Sequence, residues 1–480
     1  MYTEYTWQDW QNTPEMSRPA MVESVIRTYK ASKDFADGLT ANIYFRGENT
    51  EVNKKTVLRA KAVQYKDPAT GRVRKKSGTE DVVGNRIPSA FFFRFVTQQN
   101  QHLLSNGVTL EDESTKNALG RDFDKQLERL GERSLLHGVA WGFWNGDHME
   151  VIEAVKDAMS GAVALVDEET SEPMVLIQFW QINAERPMYA RVFTPDGVVK
   201  YRYAKGGMQE IENSRRAYIV KTRTDALGTE IIGQSNYGRL PVIPLYASEE
   251  RLSELTQAIK SKIDLYDRIL SDFGDNLDRA NDVYWVLNNF GGTFDEVAEL
   301  LEQINRIKAV TSITDGSGNS MASAEPHTIG VPYEARKEAL DLLERALYQD
   351  YMALDMDALT GGSLTNVAIR AATANLELKA DRYEWQVRKF VQNLLNLLGK
   401  DVDEIRFKRQ TIANESEVVA DINLMRADID RRTALKLNPY VDDEEIEAIM
   451  RDMDAEEVSG KPSMEELDKM LAAARQVSQE

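Results

Sequence analysis

The sequence predicts an α+β protein, mostly helical, with an antiparallel β-rich stretch in its first half. Three observations carry this. Apolar residues recur every three or four positions over several long segments, the mark of one helix face. Between residues 162 and 233 the pattern changes to short β-rich runs parted by turn residues. The strongest helical pattern brackets a Gly-containing break at residues 355–366. Hydrophobic residues make up 42% of the 480, enough for sizeable cores and too many for a disordered chain.

Residues 1–40 carry a weak helical pattern through Met21, Val22, Val25, Ile26 and Tyr29. Residues 43–75 are polar and lead into a basic run that contains Arg72, Arg74, Lys75 and Lys76. A nucleic-acid patch and a solvated loop both fit the run. Its shortness and its lack of interleaved aromatics favour the loop. Asn85–Gly107 reads as an apolar helix ending on Gly107, and 120–137 as another (Phe123, Leu127, Leu130, Leu135) ending on Gly138. Trp141, Phe143 and Trp144 follow; they suit a packed core better than base stacking, because large aromatics dominate cores.

The β-rich runs are Ala162–Val166, Met174–Trp180, Met188–Phe193, Val198–Tyr203 and Ala217–Thr222, with turns at Pro195-Asp-Gly197 and Gly206-Gly207. This predicts an antiparallel meander. Leu240–Tyr246 then reads as an extended strap, because Pro241 and Pro244 and their predecessors avoid helix.

A long helix is expected over Glu249–Asn276. A small α/β unit follows: a strand Val283–Leu287 with Tyr284 and Trp285, a turn at Phe290-Gly291-Gly292, a helix Phe294–Ile307, a strand Val310–Ile313 and the loop Asp315–Ser320. It lies between two long helices and reads as an insertion at their far ends. The second helix begins after Pro332, a residue suited to a first helical turn. Its apolar stripe is Leu340, Leu343, Leu347, Tyr351 and Leu354. The pattern breaks over Asp355–Asn366, where Gly361 and Gly362 can adopt angles closed to other residues. It resumes near Val367 and runs to Leu398 through Leu376, Ala380, Tyr383, Val387, Phe390 and Leu394. Roughly thirty residues is long against a mean helix of about 11–12, so neighbouring subunits are the natural partner surface. Helices near 416–427, 431–437 and 442–454 are expected beyond, and a charged one after the linker Ser459–Ser463.

Net charge is −19 and there is no cysteine. An acidic chain does not hold nucleic acid by its overall field. Disulfides, a thiol nucleophile and Cys-based metal sites are excluded. No apolar run approaches the roughly 18 residues of a membrane span. The start, Met1–Trp7, has no basic region followed by an apolar stretch, so no secretion signal is expected. His102, His137, His148 and His327 have no metal-ligand spacing. Thr360–Thr365 lacks the Gly-Lys-Ser/Thr ending of a phosphate loop. Asp355-Met-Asp357 and Asp315–Asn319 lack the glycine and glutamate of a calcium loop. No enzyme, cofactor or metal is expected.

Several stretches resemble the portal proteins of tailed bacteriophages, in the family typified by the portal of phage SPP1. They are Leu240-Pro-Val-Ile-Pro-Leu245, Ser253–Thr256, Ile263–Phe273, Val283–Leu287 with Gly291-Gly292, Leu376–Glu384, and Ile405–Phe407 with Asn414 and Glu417. The resemblance covers most of 40–450. It implies a portal fold and a ring, usually of twelve copies, at one capsid vertex. Residues 1–245 would be an antiparallel β-rich wing, 246–276 and 332–354 the stem helices, and 277–331 a small α/β clip. Residues 355–366 would be the tunnel loop, 367–399 the helix joining wing to channel, and 400–480 a helical crown and tail. The tunnel loop would set Leu359, Thr360, Gly361, Gly362, Ser363, Leu364, Thr365 and Asn366 along the channel. The clip would offer Tyr284, Trp285, Phe290, Gly291 and Gly292 to partners. Implied partners are other copies of the chain, double-stranded DNA, the terminase, the major capsid protein and head–tail connectors. The implied location is the virion, with assembly in the host cytoplasm. Two other readings stand beside this one: a helical adaptor without a DNA channel, and a metal-dependent nuclease.

Overall fold

The computed structural model describes residues 3–66, 73–110, 112–225, 228–280, 283–288, 323–328, 333–357, 365–400, 402, 404–409, 415–425, 428–441 and 445–458. The chain divides into two compact units. One is Met1–Ala353 with Leu376–Gln410; the other is Leu354–Asn375 with Thr411–Glu480.

The first unit opens with α1 (Trp7–Asn12), α2 (Arg18–Lys30) and α3 (Lys33–Phe45). Thr6 and Asp9 form a capping box at α1, satisfying two orphan donors reciprocally. The predicted stripe of α2, Met21 to Tyr29, is buried. A single turn, α4 (Thr50–Asn53), precedes a two-stranded ribbon of β1 (Thr56–Lys66) and β2 (Val73–Val83). The ribbon corrects the expectation for the basic run, since Arg74, Lys75 and Lys76 lie in a strand and not in a loop. A two-stranded ribbon is joined by backbone bonds and needs no apolar stripe, so periodicity does not reveal it.

Next come α5 (Phe91–Leu104), β3 (Val108–Leu110), α6 (Glu113–Ala118) and α7 (Phe123–His137). The helix expected from Asn85 begins at Phe91, because the amides of Asn85, Ile87 and Ser89 are bonded elsewhere and Pro88 disfavours helix before it. Gly138 ends α7 at φ +80°.

Strands β4 (Val139–Trp144), β5 (Met149–Glu153), β6 (Val155–Asp157), β7 (Ser160–Val166), β8 (Pro173–Trp180), β9 (Tyr189–Thr194), β10 (Gly197–Ala204) and β11 (Gly207–Glu210) follow. β12 (Ile219–Asp225), β13 (Gly228–Ser235) and β14 (Val242–Tyr246) complete the β-rich region. β6 to β11 form the antiparallel meander in chain order. Alternate residues serve its two faces. Val163, Leu165, Val175, Ile177 and Val192 pack with Val22, Val25, Ile26 and Tyr29. Ala162, Ala164, Leu176 and Phe193 pack with Trp141, Phe143 and Ile152 of the sheet β14-β4-β5. Trp141, Phe143 and Trp144 are therefore core residues. The expected strap at 240–246 is extended, but it is also an edge strand, with Pro244 opposite Trp141. An edge is where a proline removes no ladder donor.

α8 (Gln257–Ala280), β15 (Val283–Asn288), β16 (Ser323–Thr328), α9 (Tyr333–Tyr351), α10 (Asn366–Leu397) and β17 (Ile405–Phe407) follow. The helix expected from Glu249 starts at Gln257. Residues before it use their amides to cap α7: Ala247 N donates to Gly138 O at 3.0 Å and Glu254 N to Leu135 O at 3.0 Å. Thr256 then accepts from Ile259 N as the helix begins. The largest core joins α5, α7, α8, α9 and the first-unit part of α10 through Phe91, Phe95, Leu130, Ile263, Leu347 and Phe390, among others.

The second unit holds the start of α10 with α11 (Glu415–Met425), α12 (Arg431–Leu437) and α13 (Ile446–Val458). The backbone N–H of Asn366 donates to Glu417 at 2.7 Å. Arg432 pairs with Glu447 at 2.5 Å.

Candidate channel and assembly site

Helices α8 and α9 pack along each other, and Phe273 of α8 lies 5.8 Å from Tyr333 at the start of α9, ring centre to ring centre. The apolar face of α8 is committed to the core through Ile259 and Ile263. Another face carries Asp267, Ser271 and Asp275, spaced four residues apart. An extended strap, Asn85–Ser89, lies on these groups. Asn85 N donates to Asp275 at 2.7 Å, Ile87 N to Ser271 Oγ at 3.0 Å and Ser89 N to Asp267 at 2.9 Å. Asn49 Nδ2 also donates to Asp267, at 2.5 Å. Asp267 is fully buried. Burial pushes its carboxyl pKa up, against the pull of the Ser89 and Asn49 bonds. Lys55, just before β1, pairs with Asp272 at 2.8 Å and Asp275 at 2.6 Å. Gly84, just after β2, leaves no room for a side chain: a Cβ there would lie 2.4 Å from Val57 and 2.9 Å from Asp275. Both ends of the ribbon are thus fixed to α8.

The end of α9 is fixed as closely. Met352 N donates to Gln349 O at 3.1 Å and Ala353 N to Tyr348 O at 3.0 Å. That is the Schellman pattern, with Met352 in the left-handed position at φ +63°, where glycine is usual. The carbonyl of Tyr351 accepts from Lys379 Nζ at 2.8 Å. The same ammonium pairs with Glu254 at 2.8 Å and sits 3.3 Å from the centre of the Tyr351 ring. Burial pushes the Lys379 pKa down, and Glu254 opposes it. Tyr351 is held in turn by stacking on Phe95 at 4.6 Å and by its hydroxyl bond to Gln99 at 2.9 Å. Further along α10, Arg409 bridges Glu377, Asp381 and Glu384 at 2.5–2.7 Å. This joins the segment after β17 to the helix.

Of the predicted loop residues, Leu359, Thr360, Gly361, Gly362, Ser363 and Leu364 lie outside the described residues. Thr365 and Asn366 lie at the start of α10, where Thr365 is the cap: Ala368 N donates to its hydroxyl at 3.3 Å. Asp355 accepts from Asp357 N at 3.0 Å just after α9. Residues 352–366 contain no lysine or arginine. Tyr284 and Trp285 fall in β15, opposite His327 and Pro326 of β16. Strand β16 was not expected. The expected strand Val310–Ile313, the helix Phe294–Ile307, the loop Asp315–Ser320, and Phe290, Gly291 and Gly292 lie outside the described residues.

The sequence reading missed the ladder on α8 and the Lys379 clamp. Asp267, Ser271 and Asp275 at four-residue spacing were a signal, but a polar stripe on a helix reads first as a solvated face. Among the described residues no cluster of three His, Asp or Glu is placed to hold a metal ion, and no helix is long and apolar enough to cross a membrane.

The paired helices α8 and α9, the small β unit between them and the 32-residue α10 are the features the comparisons bear on. Residues 33–478 match the model of the family described as phage portal protein, SPP1 Gp6-like; the chain belongs to this family. Its relatives include the portal protein of Clostridium phage phiCD119, 23% identical over 385 residues, which cover 75% of this chain and 83% of that one. The portal protein of Bacillus phage SPP1 is 25% identical over 398 residues, 76% of this chain and 75% of that one.

Proposed function

We propose that the chain is the subunit of a portal ring, usually of twelve copies, that forms the DNA channel at one capsid vertex. The family match over 33–478 carries this reading. In it, α8 and α9 are the stem, β15 and β16 belong to the clip that meets terminase and later the connector proteins, and the stem region passes the major capsid protein. The loop between α9 and α10 narrows the channel, α10 joins channel to wing, and the segments after it form the crown. The ring is a component of the virion and assembles in the host cytoplasm.

The chemistry of the loop agrees with passage of DNA. Each phosphate neutralised by Lys or Arg adds close to one unit to the salt slope of binding. A channel that held many phosphates would stall its cargo. A loop without lysine or arginine, on an acidic chain, guides DNA while holding it weakly.

Negative-stain imaging of the purified protein is the direct test. Rings with a central hole are expected, and their classes count the copies. Single-chain particles under every assembly condition, with scaffold partners added, would refute the reading. Leu359→Asp is expected to leave rings intact and impair DNA packaging. Normal packaging by that variant would remove the loop from the mechanism.

A further inference from the structure

The ribbon of β1 and β2 has a charge pattern unlike the rest of the chain. Its register runs from Thr56↔Val83 at the root to Lys66↔Val73 at the far end. By that register Lys61, Lys66, Arg74, Lys75 and Lys76 fall in the distal half, with no acidic residue among positions 60–66 or 73–79. Glu80 and Asp81 fall near the root. Five positive charges in one half of a ribbon stand out in a chain of net charge −19. No third strand joins the ribbon among the described residues. Isolated two-stranded ribbons are marginal in water, and their open edges invite a partner.

The root has a fixed height on the helix pair. Lys55 and Gly84 hold it at Asp272 and Asp275 of α8. Phe273, in the same turn, meets Tyr333 of α9. The first turns of α9 therefore lie level with the root. There α9 exposes Glu334, Glu338 and Asp341 at four- and three-residue spacing, with exposed Lys337 among them and Arg345 at the end of the stripe. None of the three carboxylates pairs with a described residue. Beside them Tyr333 is 51% and Leu342 65% exposed. This is an uncovered face with both apolar and acidic groups.

We propose that the ribbon of one copy docks across this face of α9 on the next copy, so that each subunit of the ring clasps its neighbour's stem. The inference rests on the ring reading above. Three facts support it. The charges are complementary: by the register Lys61, Arg74 and Lys76 share one face of the ribbon, against Glu334, Glu338 and Asp341, with Lys337 among these. The root of the ribbon lies level with the first turns of α9 on the next copy, because copies related by a rotation about the channel place equal residues at equal height. The reach suffices: eleven residues at about 3.3 Å span roughly 35 Å, whereas two packed helices are only about 20 Å across.

The chain has no cysteine, so a pair of introduced thiols reports cleanly. Lys76→Cys with Glu338→Cys should, on mild oxidation of assembled rings, give a non-reducing gel ladder from dimers up to the full ring, while either single variant gives none. Arg74→Glu with Lys76→Glu should raise the protein concentration for half assembly about ten-fold, and adding Glu338→Lys with Asp341→Lys should restore it. Wild-type rings without the ladder, or a crosslink confined to one chain, overturn the docking and leave the ring reading intact. So does a charge-reversed ribbon that assembles normally but loses retention of a short DNA duplex, which would assign the ribbon to DNA. Wild-type protein that forms no ring overturns both readings.

Discussion

Replacing Lys379 by methionine tests the junction where α9 ends. Methionine nearly fills the lysine volume, so no cavity term enters. What is lost is the ammonium, which lies 2.8 Å from the Tyr351 carbonyl and 2.8 Å from Glu254. Removing one partner of a buried ion pair costs about 3–5 kcal/mol, because the other charge is stranded. Glu254 keeps about a fifth of its side-chain surface, so solvent recovers part of that. The lost carbonyl bond adds about 1 kcal/mol. A net loss of about 2–4 kcal/mol is expected from these magnitudes. Adding Glu254→Gln removes the stranded charge, so the double variant should lose less than the two single losses together, by about 1–2 kcal/mol. Equilibrium urea melts, at a concentration where gel filtration shows one assembly state, read these differences directly. Lys379→Met as stable as wild type, or a strictly additive double variant, would refute the claim that this lysine bears on the end of α9.

Asp267 gives a pH signature. Burial raises its native pKa above the ordinary 3.8, so the native state keeps the proton where the unfolded chain has lost it. Its contribution is therefore greatest below the unfolded value and declines as pH rises through the native value. Asp267→Asn should gain on wild type in urea melts between pH 4 and pH 7, and a constant gap between the two would contradict the burial argument. At Gly138 a Cβ would lie 2.4 Å from the Arg251 carbonyl, and φ is +80°. Gly138→Ala should cost about 2–4 kcal/mol from the left-handed penalty and overpacking together; a melting temperature within a degree of wild type would show that the contact relaxes.

The parts of the fold that periodicity encodes were legible in the sequence. The stripes Leu347–Tyr351 and Leu376–Leu394, the meander from Ala162 and the stop at Gly138 all follow from apolar spacing or from a glycine where φ is positive. The ribbon and β16 were not legible, because short pairs of strands are decided by backbone bonding and carry little apolar pattern. The start of α8 was misplaced because Leu252 and Leu255 continue its stripe, while the amides around them are taken by the end of α7. Lys379 and Asp267 escaped notice for another reason. A charged residue inside a helix reads as solvated until a distant segment is seen to lie on it. The family resemblance was carried by stretches such as 240–245, which is almost wholly buried, and 263–273 and 376–384, which alternate buried with half-buried or exposed residues.

The strap on α8 behaves as a vernier. Each rung advances two residues along extended chain, about 6.6 Å, but four residues along the helix, about 6.0 Å. The two scales drift by some 0.6 Å per rung, so three rungs stay in phase and a much longer ladder would not. A single inserted or deleted residue between Asn85 and Ser89 would present the wrong parity, turning the N–H groups away from the helix and carbonyls toward Asp267 and Asp275. The strap can therefore drift in composition but not in length, and that fixed length sets where the ribbon leaves the helix.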